Sequence, residues 1–581
     1  MATLTWIGTT TNFALATNWS PAQIPTSADD LVFNNNKDCV APLASSTVNS
    51  IDFNGYTGSF TSFSSGTITI SGSNTGTTTG ISLRLSSGMN ISGFITSINF
   101  TSSVGGYIYC NGNTFACPIV FNNATGVWSN QDALNSSSRL TITAGTLTAG
   151  ASITTTLASG TAFAFTAGTL NLGSYTHNFY AFSCSNANTR TINFGTCTIN
   201  LTGNNNTIWT TATITGLTVS GTPTINLTYS GSVGSRVVST GALPEASVLS
   251  FNITAGTDTF GFPASNAIKN LNFTGFSGIY NCNNALNIYG NLTLSSSQTT
   301  SGTSGITLLG TSTTQIITSN GVTISFPITI NSATTTIQNS GALTTTAALT
   351  LTTGTLNINA DLTIGSASAF TFTAGTINAN NGANITCGTF VSSAANTRTL
   401  NMGSGTWNLT STGTVWNVLA TSLTFSAEQS RIVMTNISAT ACTFAGGGLT
   451  YYTVELAKGS STAITTISGN NTFANFIDNT STAAHTISIL GLTTQSFYRF
   501  NVRGTAGALV TVNRNGTGTT TLTKVGKGIV CYCDYITLGT LTGTPASTWY
   551  IGANSSIGTS TGFIATAAPS SQSTLGVGGV G

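Results

Sequence analysis

Stretches of this chain return at an almost fixed distance, and that constrains its fold more than any single motif does. Phe165-Thr166-Ala167-Gly168-Thr169-Leu170-Asn171 comes back 207 positions later as Phe372-Thr373-Ala374-Gly375-Thr376-Ile377-Asn378. Asn188-Thr189-Arg190-Thr191-Ile192-Asn193 returns 208 positions on as Asn396-Thr397-Arg398-Thr399-Leu400-Asn401, and Trp209 answers to Trp416 at 207. Cys117-Pro118-Ile119 matches Phe326-Pro327-Ile328, and Ala144-Gly145-Thr146-Leu147 matches Thr353-Gly354-Thr355-Leu356, both at 209. Ile51–Gly58 resembles Leu271–Gly278 at 220. The reading is two copies of a unit of roughly 200 residues, over about 47–240 and 265–440.

Within each copy the local pattern is alternation. Thr67-Ile68-Thr69-Ile70, Leu140-Thr141-Ile142-Thr143 and Thr198-Ile199-Asn200-Leu201-Thr202 place apolar side chains on one face and Thr or Asn on the other. Such segments, most of them bounded by Gly, Asn or Ser, are short strands, and no amphipathic helix stands out. The expected fold is all-β: a β-solenoid, parallel β-helix-like, whose coils pair only with the coils above and below. Tandem β-sandwiches are the alternative. Composition favours the solenoid. Only 4% of the 581 residues are charged, against about 25% in ordinary domains. Ladders of Thr, Ser and Asn stack on themselves, where ladders of like charge would repel. With roughly 20 to 25 residues per coil and coils about 4.8 Å apart, the chain would make a rod on the order of 100 Å long.

The same composition excludes function classes. A net charge of +2 over this length gives no field for tracking phosphates, so no nucleic acid is expected as partner. Apolar runs such as Ala162–Phe165 stop after a few positions, far short of the roughly 20 residues a spanning helix needs, so no membrane insertion is expected. The start, Met1-Ala2-Thr3-Leu4-Thr5-Trp6, lacks the basic and apolar regions of a secretory signal. The organisation read from the sequence is an N-terminal cap or docking segment at 1–46 and a first solenoid unit at 47–264. A second unit follows at 265–440, then a C-terminal β region at 441–564 and a Gly/Ser-rich tail at 565–581.

The two ends carry a resemblance. Trp6-Ile7-Gly8, Asn18-Trp19-Ser20-Pro21 and Pro25-Thr26-Ser27-Ala28-Asp29-Asp30-Leu31-Val32-Phe33 lie at one end. Thr450-Tyr451-Tyr452-Thr453, Val502-Arg503-Gly504 and Trp549-Tyr550-Ile551-Gly552 lie towards the other. Together with the Thr/Ser/Gly-rich middle, they resemble virion structural proteins of tailed, mostly aquatic bacteriophages, of the tail-fibre or surface-appendage type. The resemblance implies assembly in the host cytoplasm into the virion, other virion proteins as partners, a host surface glycan or receptor as target, and the homotrimeric state common among such fibres. It supplies no catalytic residue. The segment Trp6–Phe33 also resembles bacterial surface adhesins, which keeps a cell-surface or matrix role as the alternative. A polysaccharide depolymerase is the third reading.

Little side-chain material for chemistry is present. The chain has 12 carboxylates, thinly spread, and only His177 and His485 as histidines. A depolymerase needs converging carboxylates, and a Ser-His-Asp or metal-hydrolase site needs histidine. The expectation is therefore a non-enzymatic protein with no catalytic residues, no metal and no cofactor, and no binding residue is singled out. Asp29 and Asp30, the only adjacent acids, point to opposite faces of a strand and suit a metal poorly. The ten cysteines read as buried fillers, because Cys184, Cys197 and Cys117 become Ser392, Gly405 and Phe326 in the second copy. Arg190 and Arg398 hold one position in both copies. They are read as bonding turn carbonyls or stacking on a neighbouring coil, with an anionic glycan as the functional alternative.

Overall fold

The structure is a computed structural model that describes residues 2–63, 66–74, 80–204, 207–311, 314–526 and 531–569. Most of the expected Gly/Ser-rich tail, residues 570–581, lies outside the described residues. The chain divides into two compact units, Met1–Tyr289 and Gly290–Gly581. Among the described residues regular structure is strand, apart from two single 3₁₀ turns at Ala16–Asn18 and Glu245–Ser247. No described helix is long and apolar enough to cross a membrane.

In the first unit the chain winds as a parallel β-solenoid, typically with three short strands per coil, the first two merging into one in Ile119–Asn130 and Leu140–Ala149. Phe163–Phe165, Gly168–Asn171 and Thr176–Phe179 form one coil, and Phe182–Ser183, Arg190–Asn193 and Thr198–Leu201 form the next. Each strand pairs in parallel with its counterpart, Leu170 opposite Ile192 and Ile199 opposite Ile225. The parallel ladders set aside the β-sandwich alternative, whose sheets are antiparallel. Alternation sets the facing: Leu170, Ile192, Ile199 and Leu201 are fully buried, while the Thr and Asn residues between them stay part-exposed. Coil length varies, because the turns carry the extra residues: Phe163 pairs with Phe182, 19 positions on, and Phe182 with Trp209, 27 positions on.

The N-terminal segment departs from this winding. Thr3–Trp6 lies parallel to Asp30–Val32 but takes Trp19–Ser20 as an antiparallel neighbour. Trp6 and Trp19 meet edge-on at 5.1 Å, and both contact Phe33. This aromatic cluster closes onto Phe53, stacked on Phe33 at 4.5 Å.

The second unit begins with the same three-strand coils, such as Ala369–Phe372, Gly375–Ala379 and Ile385–Cys387. From Cys442 onward each coil has two strands, as in Cys442–Ala445 with Thr450–Leu456 and His485–Leu490 with Thr494–Val502. The ladders remain parallel through Thr521–Lys524 and Thr542–Thr544. Corresponding positions of the two units pack alike. Phe182 stacks on Trp209 with ring centroids 4.7 Å apart, and Phe390 stacks on Trp416 at the same 4.7 Å. Each such stack adds about 0.5–1.5 kcal/mol beyond the area it buries.

Candidate functional site

Outward positions of the strands form files of uncharged side chains. In the first unit Thr146, Thr169, Thr191 and Thr218 stand in register, and Thr148, Asn171, Asn193 and Ser220 stand in the next file. The Asn171 amide donates to Thr148 Oγ1 at 3.0 Å, Asn193 donates to Asn171 Oδ1 at 2.7 Å, and the Ser220 hydroxyl donates to Asn193 Oδ1 at 2.7 Å. The second unit repeats this: the Asn378 amide donates to Asn357 Oδ1 and the Asn401 amide to Asn378 Oδ1, both at 2.8 Å. Each of these bonded amides therefore spends one of its two donors on the ladder itself.

Several charged groups are committed inside the fold. Arg190 is fully buried, and its guanidinium donates to the carbonyls of Asn188 at 3.0 Å and of Thr213 and Thr215 at 2.8 Å, and to that of Cys184. Arg398 does the same with Asn396, Leu419, Thr421 and Ser392. The turn-carbonyl reading of these arginines is what the geometry shows, and burial leaves them no access to a glycan. Burial also lowers the pKa of Arg398 from its ordinary value. Arg236 and Asp258 form a solvent-free pair. The Asp478 carboxylate faces His485 Nε2 at 2.6 Å and accepts the Ser481 hydroxyl at 3.0 Å. That trio is not a nucleophile arrangement, because the serine bonds the carboxylate rather than the imidazole.

Asp29 and Asp30 are divided between separate partners. Asp29 accepts from the Thr26 backbone and hydroxyl and from Gln23, and those bonds, against the opposing effect of burial, hold its pKa below the ordinary carboxyl value. Asp30 accepts from Asn49 and Ser50 at 2.7 and 2.6 Å. Among the described residues no group of three or more His, Cys, Asp or Glu side chains is placed to hold a metal ion. All ten cysteines are buried and unbridged. Burial pushes the Cys184 thiol up to about 11 even beside Arg190, and the Cys197 and Cys387 thiols up to about 12. Thiols of that kind behave as apolar fillers rather than nucleophiles.

One concavity stands apart from these structural groups. On the first unit, Thr161, Ser183, Thr210 and Ser235, from four successive coils, line an open groove of about 640 Å³ with Asn204 and Thr207 at its side. Strand register builds it: Ala164 pairs with Ser183 and Ser183 with Thr210, so outward hydroxyls fall in line. Tyr180, half-buried, donates its hydroxyl to Asn204 Oδ1 at 2.8 Å, and Tyr229 ties the 229–234 loop by donating to Val233 O at 3.2 Å. Arg139 donates to Thr161 Oγ1 at 2.7 Å. Residues 205 and 206, between two lining positions, are outside the described residues. None of the lining residues stands out in the sequence. Each is one more Thr, Ser or Asn among many, and only the coil register brings them together.

In comparisons with known protein families, curated proteins and solved structures, nothing matches this chain.

Proposed function

We propose that the protein is a non-enzymatic structural component of a virion, a rigid β-solenoid fibre or appendage that serves host attachment. The observation that carries this reading is the use of the polar side chains. The outward Asn files bond to themselves from coil to coil, and the buried arginines bond backbone carbonyls. Such groups stiffen a scaffold by tying each coil to the next. Continuous parallel ladders make each coil depend only on its neighbours, which suits a stiff element that displays a surface.

The finer architecture belongs to the same proposal. The solenoid is built from a duplicated unit of roughly 200 residues. The matched pairs Arg190 and Arg398, and Trp209 and Trp416, support this because they repeat in geometry as well as in sequence. The Trp6–Trp19–Phe33 cluster acts as the cap that keeps the first coil's edge from pairing with another chain. Other virion proteins are the expected partners, a homotrimer is the expected assembly, and the virion is the expected location. Mass spectrometry of purified virions tests this. Peptides of the chain should be found among the particle proteins, and recovery only from washed host cells would replace the reading with that of a bacterial adhesin.

A further inference from the structure

We infer that the groove lined by Thr161, Ser183, Asn204 and Ser235 is a binding site for an acidic glycan, with Arg139 as the group that meets the sugar carboxylate. The inference deepens the attachment role proposed above and rests on it for the source of the glycan. Size is the first argument. The groove crosses three coil steps of about 4.8 Å each, on the order of 14 Å in all, and its volume of about 640 Å³ falls in the range of small-ligand clefts.

Chemistry is the second. Hydroxyls both donate and accept, as sugar hydroxyls do, and an amide adds a fixed donor. Asn204 is oriented for this, since the Tyr180 hydroxyl occupies its Oδ1 at 2.8 Å and so turns the amide nitrogen to the other side. Tyr180 lies against Gly203, where an added Cβ would lie 2.3 Å from the Tyr180 carbonyl oxygen and 3.0 Å from its ring. A glycine there gives the tyrosine its place beside the groove, and a part-exposed ring next to hydroxyl donors suits the apolar face of a pyranose.

Charge selects the ligand class. The first unit has four arginines. Arg190 and Arg236 are fully buried, and Arg84 pairs with Asp52. Arg139 is exposed, takes part in no ion pair among the described residues, and is anchored by one nitrogen to a hydroxyl of the groove wall. Its remaining donors are available, and no carboxylate lines the groove to compete for them. A guanidinium held in that way forms short charge-assisted bonds to a carboxylate, which neutral sugars lack.

The test uses the full chain, with trigalacturonic acid and neutral maltotriose as probes in titration calorimetry and saturation-transfer NMR. Trigalacturonic acid should bind about tenfold more tightly than maltotriose, the strength of one charge-assisted bond. Arg139→Gln should remove that preference. Ser183→Trp, at an outward strand position, should fill the groove and abolish binding of both probes while the circular dichroism stays that of the parent. Absence of trigalacturonate binding, or binding that Ser183→Trp leaves intact, overturns the site. Equal binding of both probes, unchanged by Arg139→Gln, overturns the acidic assignment. Because membership of the virion is tested separately by particle composition, loss of one reading does not disguise loss of the other.

Discussion

The guanidinium of Arg236 and the carboxylate of Asp258 face each other through two hydrogen bonds of 2.8 Å, and neither side chain is exposed to solvent. The two residues sit 22 positions apart, one coil on, so their meeting is a product of the winding. Arg236 also bonds the Ala255 carbonyl at 2.7 Å and lies 5.5 Å from the Phe276 ring centre. Removing one partner leaves an unpaired buried charge. Asp258→Ala should therefore destabilise the first unit by about 3–5 kcal/mol, whereas the double change Arg236→Met with Asp258→Leu should recover most of the loss. Urea unfolding of the three proteins, followed by hydrogen exchange at the surrounding strands, checks the ranking.

Arg190 and Arg398 give a second test, because their acceptors are carbonyls rather than an acid. A lysine carries three donors on a point charge and cannot reproduce a planar fork that serves carbonyls from two turns. Arg190→Lys and Arg398→Lys should each cost about 2 kcal/mol or more through orphaned buried carbonyls, and the two costs should be similar. Arg139→Lys, at an exposed position, should cost within about 0.5 kcal/mol. Thermal unfolding of the three variants separates them. A neutral Arg190→Lys would show that its carbonyl bonds do not hold the corner.

Glycine supports the corners in a way that side chains cannot. Gly168 has φ of +98°, and a Cβ there would lie 2.0 Å from the Gly145 carbonyl of the coil below. Gly375 has φ of +97°, with the Gly354 carbonyl at 2.1 Å. Gly112 also has positive φ, +80°, but nothing lies within 4 Å of its Cβ position. Gly112→Ala should thus cost about 1 kcal/mol of backbone strain, while Gly168→Ala or Gly375→Ala must also push two coils apart and should cost several times more. Limited proteolysis of the three variants reads the difference, with cleavage expected near the corner only in the latter two.

The corner glycines were legible in the sequence, because Ala-Gly-Thr-Leu and its variants recur at a fixed offset in both halves. So were the strands, since Thr-Ile-Thr-Ile can bury only one face. Less legible was the number of strands per coil. After Cys442, runs such as Thr494–Val502 carry two strands per coil, as do the coils begun by Ile119–Asn130 and Ile328–Asn339, where other coils carry three, and the period of two is the same in all. The arginine corners were half legible: a matched position in both copies announced a shared role, but only burial showed that the role excludes ligands. The groove was not legible at all. Thr161, Ser183 and Ser235 become neighbours through coil lengths that differ by several residues, and no one-dimensional spacing records that.

Cysteine chemistry yields a prediction with a simple readout. With all ten thiols buried and those of Cys184, Cys197 and Cys387 raised to about 11, 12 and 12, thiolate is scarce at neutral pH and access is closed. Iodoacetamide should modify none of the three in the native protein and all of them after denaturation, as read by intact-mass and peptide mass spectrometry. Rapid native labelling at Cys184 would mean that the Arg190 corner opens.

The two histidines should move stability in opposite directions with pH. His177 is buried, which lowers its pKa despite the Leu172 carbonyl beside it. Its Nδ1 accepts the Ile153 amide at 3.1 Å and its Nε2 faces the Leu172 carbonyl at 3.0 Å, so a second proton would break the first bond. The unfolded chain takes up that proton near pH 6.5 and the folded chain does not, so this contribution is present above about pH 6.5 and is lost as pH falls. For His485 burial also acts downward, but the hydrogen bond and charge of Asp478 and the Ala483 carbonyl outweigh it and raise the pKa. Both ring nitrogens face acceptors, at 2.6 and 3.1 Å, which favours the imidazolium. Its contribution is fully present below about pH 6.5 and is lost as pH rises through the raised value. Lys458 opposes the imidazolium and limits the effect. Hydrogen-exchange protection factors between about pH 5 and 8 resolve the two: amides around Ile153 and His177 should lose protection as the solution is acidified, and those around Asp478 and His485 as it is made alkaline. His177→Phe should flatten the first trend and leave the second, and a parallel response of both regions would contradict the assigned protonation states.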